Sequence, residues 1–236
     1  MRRIALVTGS SRGIGRAVAL RLAQEGYAVA VNGRSPAAVQ AVVAEIAARG
    51  GDACGYVCDV TNSGAVADMG DAIEQELGTV TALVNNAGIA RQKLLTDVTD
   101  EEWHQMMATH VDGAFYTCRR FLPGMLRRHS GSIVNISSMW GQVGGSCEVP
   151  YSAAKAALIG LTRALAKEVG PSGIRVNCVA PGVIQTDMMA GFYRIYGKKR
   201  PCAAWEPRRM WRRRYSFYCR MPPGLLPDRY WRPTVV

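Results

Sequence analysis

The sequence predicts a doubly wound α/β domain, a parallel sheet covered by helices on both faces, and three observations predict it. Short apolar runs alternate with longer helical stretches up to about residue 180. The first run leads straight into a glycine-rich turn and a helix, and no internal repeat or linker interrupts the alternation before residue 190. Strands that alternate with helices need crossover connections, which place the strands in parallel with a helix layer on each side.

Each element follows from its own stretch. Apolar runs at residues 4–8, 27–32, 53–57, 82–85, 132–136 and 175–179 read as strands, rich in Val, Ile and Ala. The helical stretches are 13–24, 36–49, 63–77, 100–127 and 151–168. Pro36 opens the second of these, Ser63 the third and Asp100 the fourth, residue types that suit a helix start.

At 236 residues and 48% hydrophobic composition, the chain is long enough to bury a full core. Its opening, Met1 to Gly9, is too short for the apolar region of a signal peptide, and no run approaches the 18 apolar residues of a membrane span. The expected location is the cytoplasm, with no membrane partner. Seven cysteines (Cys54, Cys58, Cys118, Cys147, Cys178, Cys202 and Cys219) lack CxxC spacing and nearby paired histidines, so reduced thiols are expected and no metal.

The net charge of +11 raises the question of nucleic acid, and its location answers it. Residues 192–236 hold 12 of the 29 Lys/Arg and 2 of the 18 Asp/Glu, whereas the preceding 191 residues hold 17 and 16. The body of the chain is electrically neutral in character, and a nucleic-acid partner is not expected.

The turn Gly9-x-x-x-Gly13-x-Gly15 lies directly between the first strand and the first helix. Glycines there allow a tight turn and close backbone approach, and the helix N-terminus attracts a pyrophosphate. A dinucleotide site selective for NAD carries an acid at the end of the second strand, to hold the ribose 2′-hydroxyl. Here that end reads Val31-Asn32-Gly33-Arg34, with Arg12 in the glycine turn as a second cation. Guanidinium groups suit a 2′-phosphate, so the expected cofactor is NADPH/NADP+.

Tyr151 and Lys155 are four apart on a predicted helix and share one face. A free tyrosine titrates near ~10, and a neighbouring ammonium favours the phenolate. A downshift of about three units needs ~4 kcal/mol. The product is a phenol that exchanges a proton with a carbonyl oxygen near neutral pH.

These residues resemble the short-chain dehydrogenase/reductase family. The matches run in order: Thr8-Gly-Ser-Ser-Arg-Gly-Ile-Gly15, Cys58-Asp-Val60, Asn85-Asn-Ala-Gly88, Ile136-Ser-Ser138, Tyr151-x-x-x-Lys155 and Pro181-Gly-x-x-x-Thr186. They cover about residues 2–191 and imply a Rossmann-type domain over 1–191. The resemblance implies that Gly9, Ser11, Arg12, Gly13, Ile14 and Gly15 face the pyrophosphate, with Arg34 at the ribose phosphate. Asp59 and Val60 would hold the adenine, and Asn86, Ala87 and Gly88 the adenosine side. Pro181, Gly182, Ile184 and Thr186 would seat the nicotinamide. Ser138 would bond the substrate carbonyl, Tyr151 would protonate it, and Lys155 would bind the nicotinamide ribose. The family commonly has an asparagine in its long fourth helix that anchors a relay water, and His110 stands there.

Within the family the chain is similar to the 3-oxoacyl-(acyl carrier protein) reductases. The stretch from Ser137 to Tyr151, with His110, also resembles the elongation factor P 5-aminopentanone reductases, and Glu148 is placed to meet an amine. The implied partners are a ketone on acyl carrier protein or elongation factor P, in a homo-tetramer or dimer.

The chain changes character after about Gly191. Residues 192–236 hold 6 of the 11 prolines and 3 of the 5 tryptophans, and apolar periodicity vanishes. A one-base shift explains the change. The Met210–Trp211 junction gives GTG, valine, and Met221–Pro222 gives GCC, alanine. With permitted synonymous codons, Pro207 onward spells Pro-Glu-Asp-Val-Ala-Ala-Ala-Ile-Leu-Phe-Leu-Leu-Ser-Asp-Ala-Ala. Leu226 onward spells Thr-Gly-Gln-Val-Leu-Ala-Ala-Asp-Gly-Gly. These resemble the family's last helix and strand, so residues 192–236 are expected to be a frameshifted tail and the fold to lack both elements.

Overall fold

The structure is a computed structural model that describes residues 2–182 together with the backbone of Thr234–Val235. Six parallel strands form its centre: β1 (Arg3–Val7), β2 (Tyr27–Gly33), β3 (Asp52–Val57), β4 (Ala82–Asn85), β5 (Gly131–Ile136) and β6 (Ile174–Ala180). A two-residue strand, β7 (Thr234–Val235), adds antiparallel to the end of β6, giving the order β3-β2-β1-β4-β5-β6-β7. The six-strand parallel sheet agrees with the doubly wound reading, and beyond this two-residue antiparallel pairing no further helix or strand follows β6 among the described residues.

Two apolar layers sandwich the sheet. Even positions of β1 and β2 (Ile4, Leu6, Ala28, Ala30) face α3 (Ser63–Glu76), α5 (Gly113–Arg127) and α7 (Val149–Val169). Odd positions (Ala5, Val7, Val29, Val31) face α1 (Gly13–Gln24) and α2 (Pro36–Ala48). The period of two in each strand and the crossover helices agree, which is why the doubly wound reading holds. Among the described residues, no helix is long and apolar enough to cross a membrane.

Caps set several helix starts. Ser35 accepts from the Ala38 N–H with Pro36 at the first turn, and Asn62 accepts from the Ala65 N–H. Thr99 and Glu102 form a reciprocal capping box that opens α4 (Asp100–Met107).

The long helix expected over 100–127 is broken. Between α4 and α5 the backbone adopts a π-helical segment, Ala108–Asp112, which inserts an extra residue per turn around His110. A four-residue helix, α6 (Trp140–Val143), was not legible in the sequence because it lies in a Gly-rich loop.

A buried polar ladder ties these layers below the catalytic end of the sheet. Thr117 donates to Asn85 Oδ1 (2.6 Å), Asn85 to Asn135 Oδ1 (2.9 Å), and Asn135 to Thr162 (2.9 Å). The ladder runs from α5 through β4 and β5 to α7, which carries Tyr151 and Lys155, and its hydrogen bonds make it rigid.

Candidate active site

A groove at the carboxyl ends of the strands begins with the glycine turn, where ligands bind in sheets of this topology. Gly9 (φ +60) needs its left-handed backbone, and a Cβ there would meet Ala87 Cα at 2.7 Å. At Gly15 a Cβ would meet Asn86 Nδ2 at 2.4 Å and Gly9 O at 2.5 Å. The first helix is thus pressed against the end of β4, and its N-terminus faces open space. Asn86 seals this contact by donating to the Thr8 and Gly9 carbonyls at 3.0 Å each. That cradle, which any side chain would fill, fits a pyrophosphate.

Ser11, Arg12, Gly13, Ile14, Arg34, Asp59, Val60, Ala87 and Gly88 all line the same groove, as do Gly9 and Asn86. Gly15 lies beneath it. Arg34 is exposed and leans toward Asp59, at 3.8 Å, while Asp59 Oδ1 accepts from the Thr61 amide and hydroxyl. No described carboxylate approaches Arg34 more closely, so its guanidinium remains available for a phosphate. Ile89 and Thr109 also line the groove and were missed, having no motif of their own.

The candidate catalytic residues come from three elements. Ser138 follows β5, Tyr151 and Lys155 stand in the first turns of α7, and His110 stands in the π segment. Lys155 is 4% exposed; its Nζ donates to the Ile136 carbonyl (2.7 Å) and lies 5.5 Å from the Tyr151 ring centroid. The Ser137 hydroxyl donates to the Lys155 carbonyl at 2.7 Å. A Cβ at Gly141 would come within 2.7 Å of the Lys155 backbone, so the missed α6 is a buttress for α7.

His110 is 3% exposed and meets Tyr151 edge-on, with ring centroids 5.4 Å apart. Its Nε2 lies 2.8 Å from the Ile89 carbonyl and 3.2 Å from the Ile89 N–H. Its Nδ1 is buried with no partner. Gly88 makes room for the ring: a Cβ there would sit 2.4 Å from His110 Cε1. The structure therefore brings His110 into the same pocket as the tyrosine and lysine.

The electrostatics correct one expectation. Tyr151 is not acidified by Lys155 in this structure; burial pushes it up to about 12, a Ser138 hydrogen bond opposes the rise, and Glu148 adds to it. Burial also draws Lys155 down to about 8. The physical reason is that the ammonium is itself desolvated and directed at the Ile136 carbonyl, one turn beneath the phenol. His110 is held well below the usual imidazole range by burial and then by Lys155, so it is neutral.

Glu148 immediately precedes α7 and follows Cys147, which takes a left-handed backbone (φ 60). Its carboxylate is buried, accepts from Gln92 Nε2 at 3.0 Å, and is raised by that burial. The flanking cations Arg91 and Lys93 turn instead to Glu102, leaving Glu148 without an ion pair among the described residues. Pro181 and Gly182 close the described segment beyond β6, where Met139 N–H donates to the Pro181 carbonyl at 2.9 Å. Ile184 and Thr186 lie outside the described residues, as does the 192–236 tail apart from Thr234–Val235.

A glycine cradle at a sheet's switch point, beside a buried Ser-Tyr-Lys cluster, defines a dinucleotide-dependent oxidoreductase site. Comparison with known proteins gives the family. The short chain dehydrogenase family model matches residues 3–194, and the chain belongs to that family. The 3-oxoacyl-(acyl-carrier-protein) reductase FabG of Staphylococcus aureus is 45% identical over 189 residues, covering 80% of this chain and 77% of that protein. FabG of Pseudomonas aeruginosa is 42% identical over 186 residues, covering 79% and 75%. Among solved structures, an actinorhodin polyketide ketoreductase variant with NADPH has a TM-score of 0.81 at 36% identity, covering 84% of this chain and 76% of that one. A Burkholderia cenocepacia gluconate 5-dehydrogenase with NADP and tartrate has a TM-score of 0.77 at 33% identity, covering 80% and 74%.

Proposed function

We propose that this site performs NADPH-dependent reduction of a ketone, most closely a 3-oxoacyl group carried on acyl carrier protein. The observation that carries this reading is the convergence of Ser138, Tyr151, Lys155 and His110 beside one groove that also presents Arg12 and Arg34. The named functions of the FabG relatives and the NADPH-bound ketoreductase support it.

The glycine turn would hold the pyrophosphate, Arg12 and Arg34 the 2′-phosphate, Asp59 and Val60 the adenine, and Asn86, Ala87 and Gly88 the adenosine ribose. Pro181, Gly182, Ile184 and Thr186 would seat the nicotinamide. When bound, the reduced nicotinamide supplies the hydride. Ser138 and Tyr151 orient the carbonyl oxygen through hydrogen bonds, and Tyr151 Oη gives it a proton. Lys155 supports the developing phenolate by its charge. His110, neutral and with Nδ1 unpartnered, is placed to hold a water in the path by which that proton is replaced.

A second substrate reading, a modified lysine on elongation factor P, is favoured by the unpaired, buried carboxylate of Glu148. Oxidation of NADPH by an acetoacetyl thioester tests the main proposal, and acyl carrier protein against elongation factor P as carrier separates the two. The Tyr151→Phe variant should lose at least ~10³-fold in kcat/KM while NADPH affinity stays within about threefold. Full turnover by that variant would remove Tyr151 from its role.

A third reading concerns this 236-residue chain itself: a cofactor-binding remnant, altered after the domain spanning 1–191. It is favoured by the family match ending at residue 194 while the chain continues to 236. NADPH binding without any ketone reduction would be its signature.

A further inference from the structure

A polar residue interrupts the apolar row of β2. Ala28 and Ala30 face the α3 layer, and Asn32, next on the same face, takes a core position at 1% exposure. An amide buried there is costly unless its polar atoms find partners. Asn32 Oδ1 accepts from the Gly9 N–H at 3.2 Å. Its Nδ2 donates to the carbonyls of Tyr56 (3.3 Å) and Cys58 (3.2 Å), with Met69 Sδ at 3.5 Å. These partners fix which way the amide points. Turned over, it would set its NH2 against an N–H and its oxygen against two carbonyls.

The partners belong to different parts of the groove. Gly9 opens the glycine turn, and its carbonyl accepts from Asn86 Nδ2, so both of its backbone groups are held by side-chain amides. Tyr56 and Cys58 flank Val57, the last residue of β3, and lead into Asp59 and Val60. The backbone of Asn32 adds to the tie. Its N–H donates to Ser10 Oγ (2.9 Å), and its carbonyl accepts from the Ser10 N–H (2.8 Å). Ser10 is fully buried and donates its own hydroxyl hydrogen to the Val7 carbonyl at 2.7 Å. One residue thus joins the glycine turn, the end of β2 and the exit of β3, with Arg34 two positions further on.

We propose that Asn32 is a positioning residue for the cofactor: it holds the glycine turn and the exit of β3 at one spacing, so that the pyrophosphate and adenosine parts of a dinucleotide are bound as a unit. The proposal rests on the NADPH reading of the groove. The side chain acts through the backbone it holds and not by touching the ligand, since its Nδ2 hydrogens are engaged inward. A ligand of two joined parts gains affinity over either part when both half-sites are held ready at the right separation. Loss of the tie therefore penalises the whole ligand and spares its pieces.

Two variants of the full 236-residue chain test this, Asn32→Ala and the milder Asn32→Ser, which keeps one hydroxyl. The ligands are NADPH, adenosine 2′-phosphate and reduced nicotinamide mononucleotide. Asn32→Ala should weaken NADPH roughly 10- to 100-fold while each fragment stays within about threefold, and Asn32→Ser should fall between parent and Ala. Equal weakening of all three ligands would report a smaller folded fraction and not a lost spacing, which overturns the proposal. Undiminished NADPH binding overturns it too. If Asn32→Ala does not fold, Asn32→Ser carries the same comparison. A parent chain that binds neither NADPH nor the fragments overturns the reading of the groove itself, and the proposal with it.

Discussion

The proposed cofactor groove and the proposed catalytic pocket lie side by side, yet they are built by opposite means. The groove is made of backbone and open charges: glycines at close approach, a helix N-terminus, and exposed Arg34 beside Asp59. The pocket is made of buried titratable side chains: Lys155 at 4%, His110 at 3%, Glu148 at 8% exposed. The groove works through shape and solvated charge. The pocket works by desolvation, which moves Tyr151, Lys155 and His110 away from their usual ranges. Neighbouring parts of one site thus respond to different perturbations.

The sharpest way to break that contrast is Gly15→Ala. Its Cβ would overlap Asn86 Nδ2 and Gly9 O, so NADPH affinity should fall by about 100-fold or more with the pocket chemistry untouched. A titration showing ordinary binding would mean that the close approach is not needed. Arg34→Gln removes charge but not shape; one charge-assisted phosphate contact is worth about 1.5–3 kcal/mol, so NADPH should weaken roughly 10- to 100-fold and NADH little.

Lys155→Met probes the pocket in the cofactor-free protein. A lysine held at about 8 when folded and near 10.5 when unfolded binds fewer protons in the native state between those values. Stability therefore rises as pH rises from about 8 to about 10.5, and the buried ammonium is a penalty of a few kcal/mol below that window. The variant should be more stable than the parent at pH 7, with the difference vanishing above pH ~10.5, while ketone reduction is lost. Parallel pH–stability curves would show that Lys155 is not desolvated. The smallest effect belongs to His110: Asn should keep activity within about tenfold, and Leu should lose more in kcat than in KM.

The groove was legible in the sequence for the same reason that it works through shape. A glycine required by a 2.4 Å approach cannot be replaced, so the residue type records the geometry. Strand positions were legible too, because apolar alternation reports two-sided burial. The π segment was not, since 100–127 carries one uninterrupted helical pattern and an inserted residue leaves no compositional trace. Nor was the protonation of the pocket. Tyr151 and Lys155 at a spacing of four suggest mutual tuning, but the outcome is set by how deeply α6, β5 and the π segment bury them. Gln92, the partner of Glu148, escaped notice because the contact spans 56 positions along the chain.

The π segment carries a consequence for tolerance to single-residue deletion. A π turn absorbs one extra residue with little change in the phase of the helices on either side, so removing any one of Ala108, Thr109, Val111 or Asp112 would restore regular α winding and draw in the widened backbone that carries His110. The imidazole at 110 would then leave Gly88 and Ile89, and the ring edge against Tyr151 would go with it. A codon lost elsewhere on the α4 surface could be absorbed by the loop before it; lost here, it would dismantle the pocket wall without altering a single catalytic side chain.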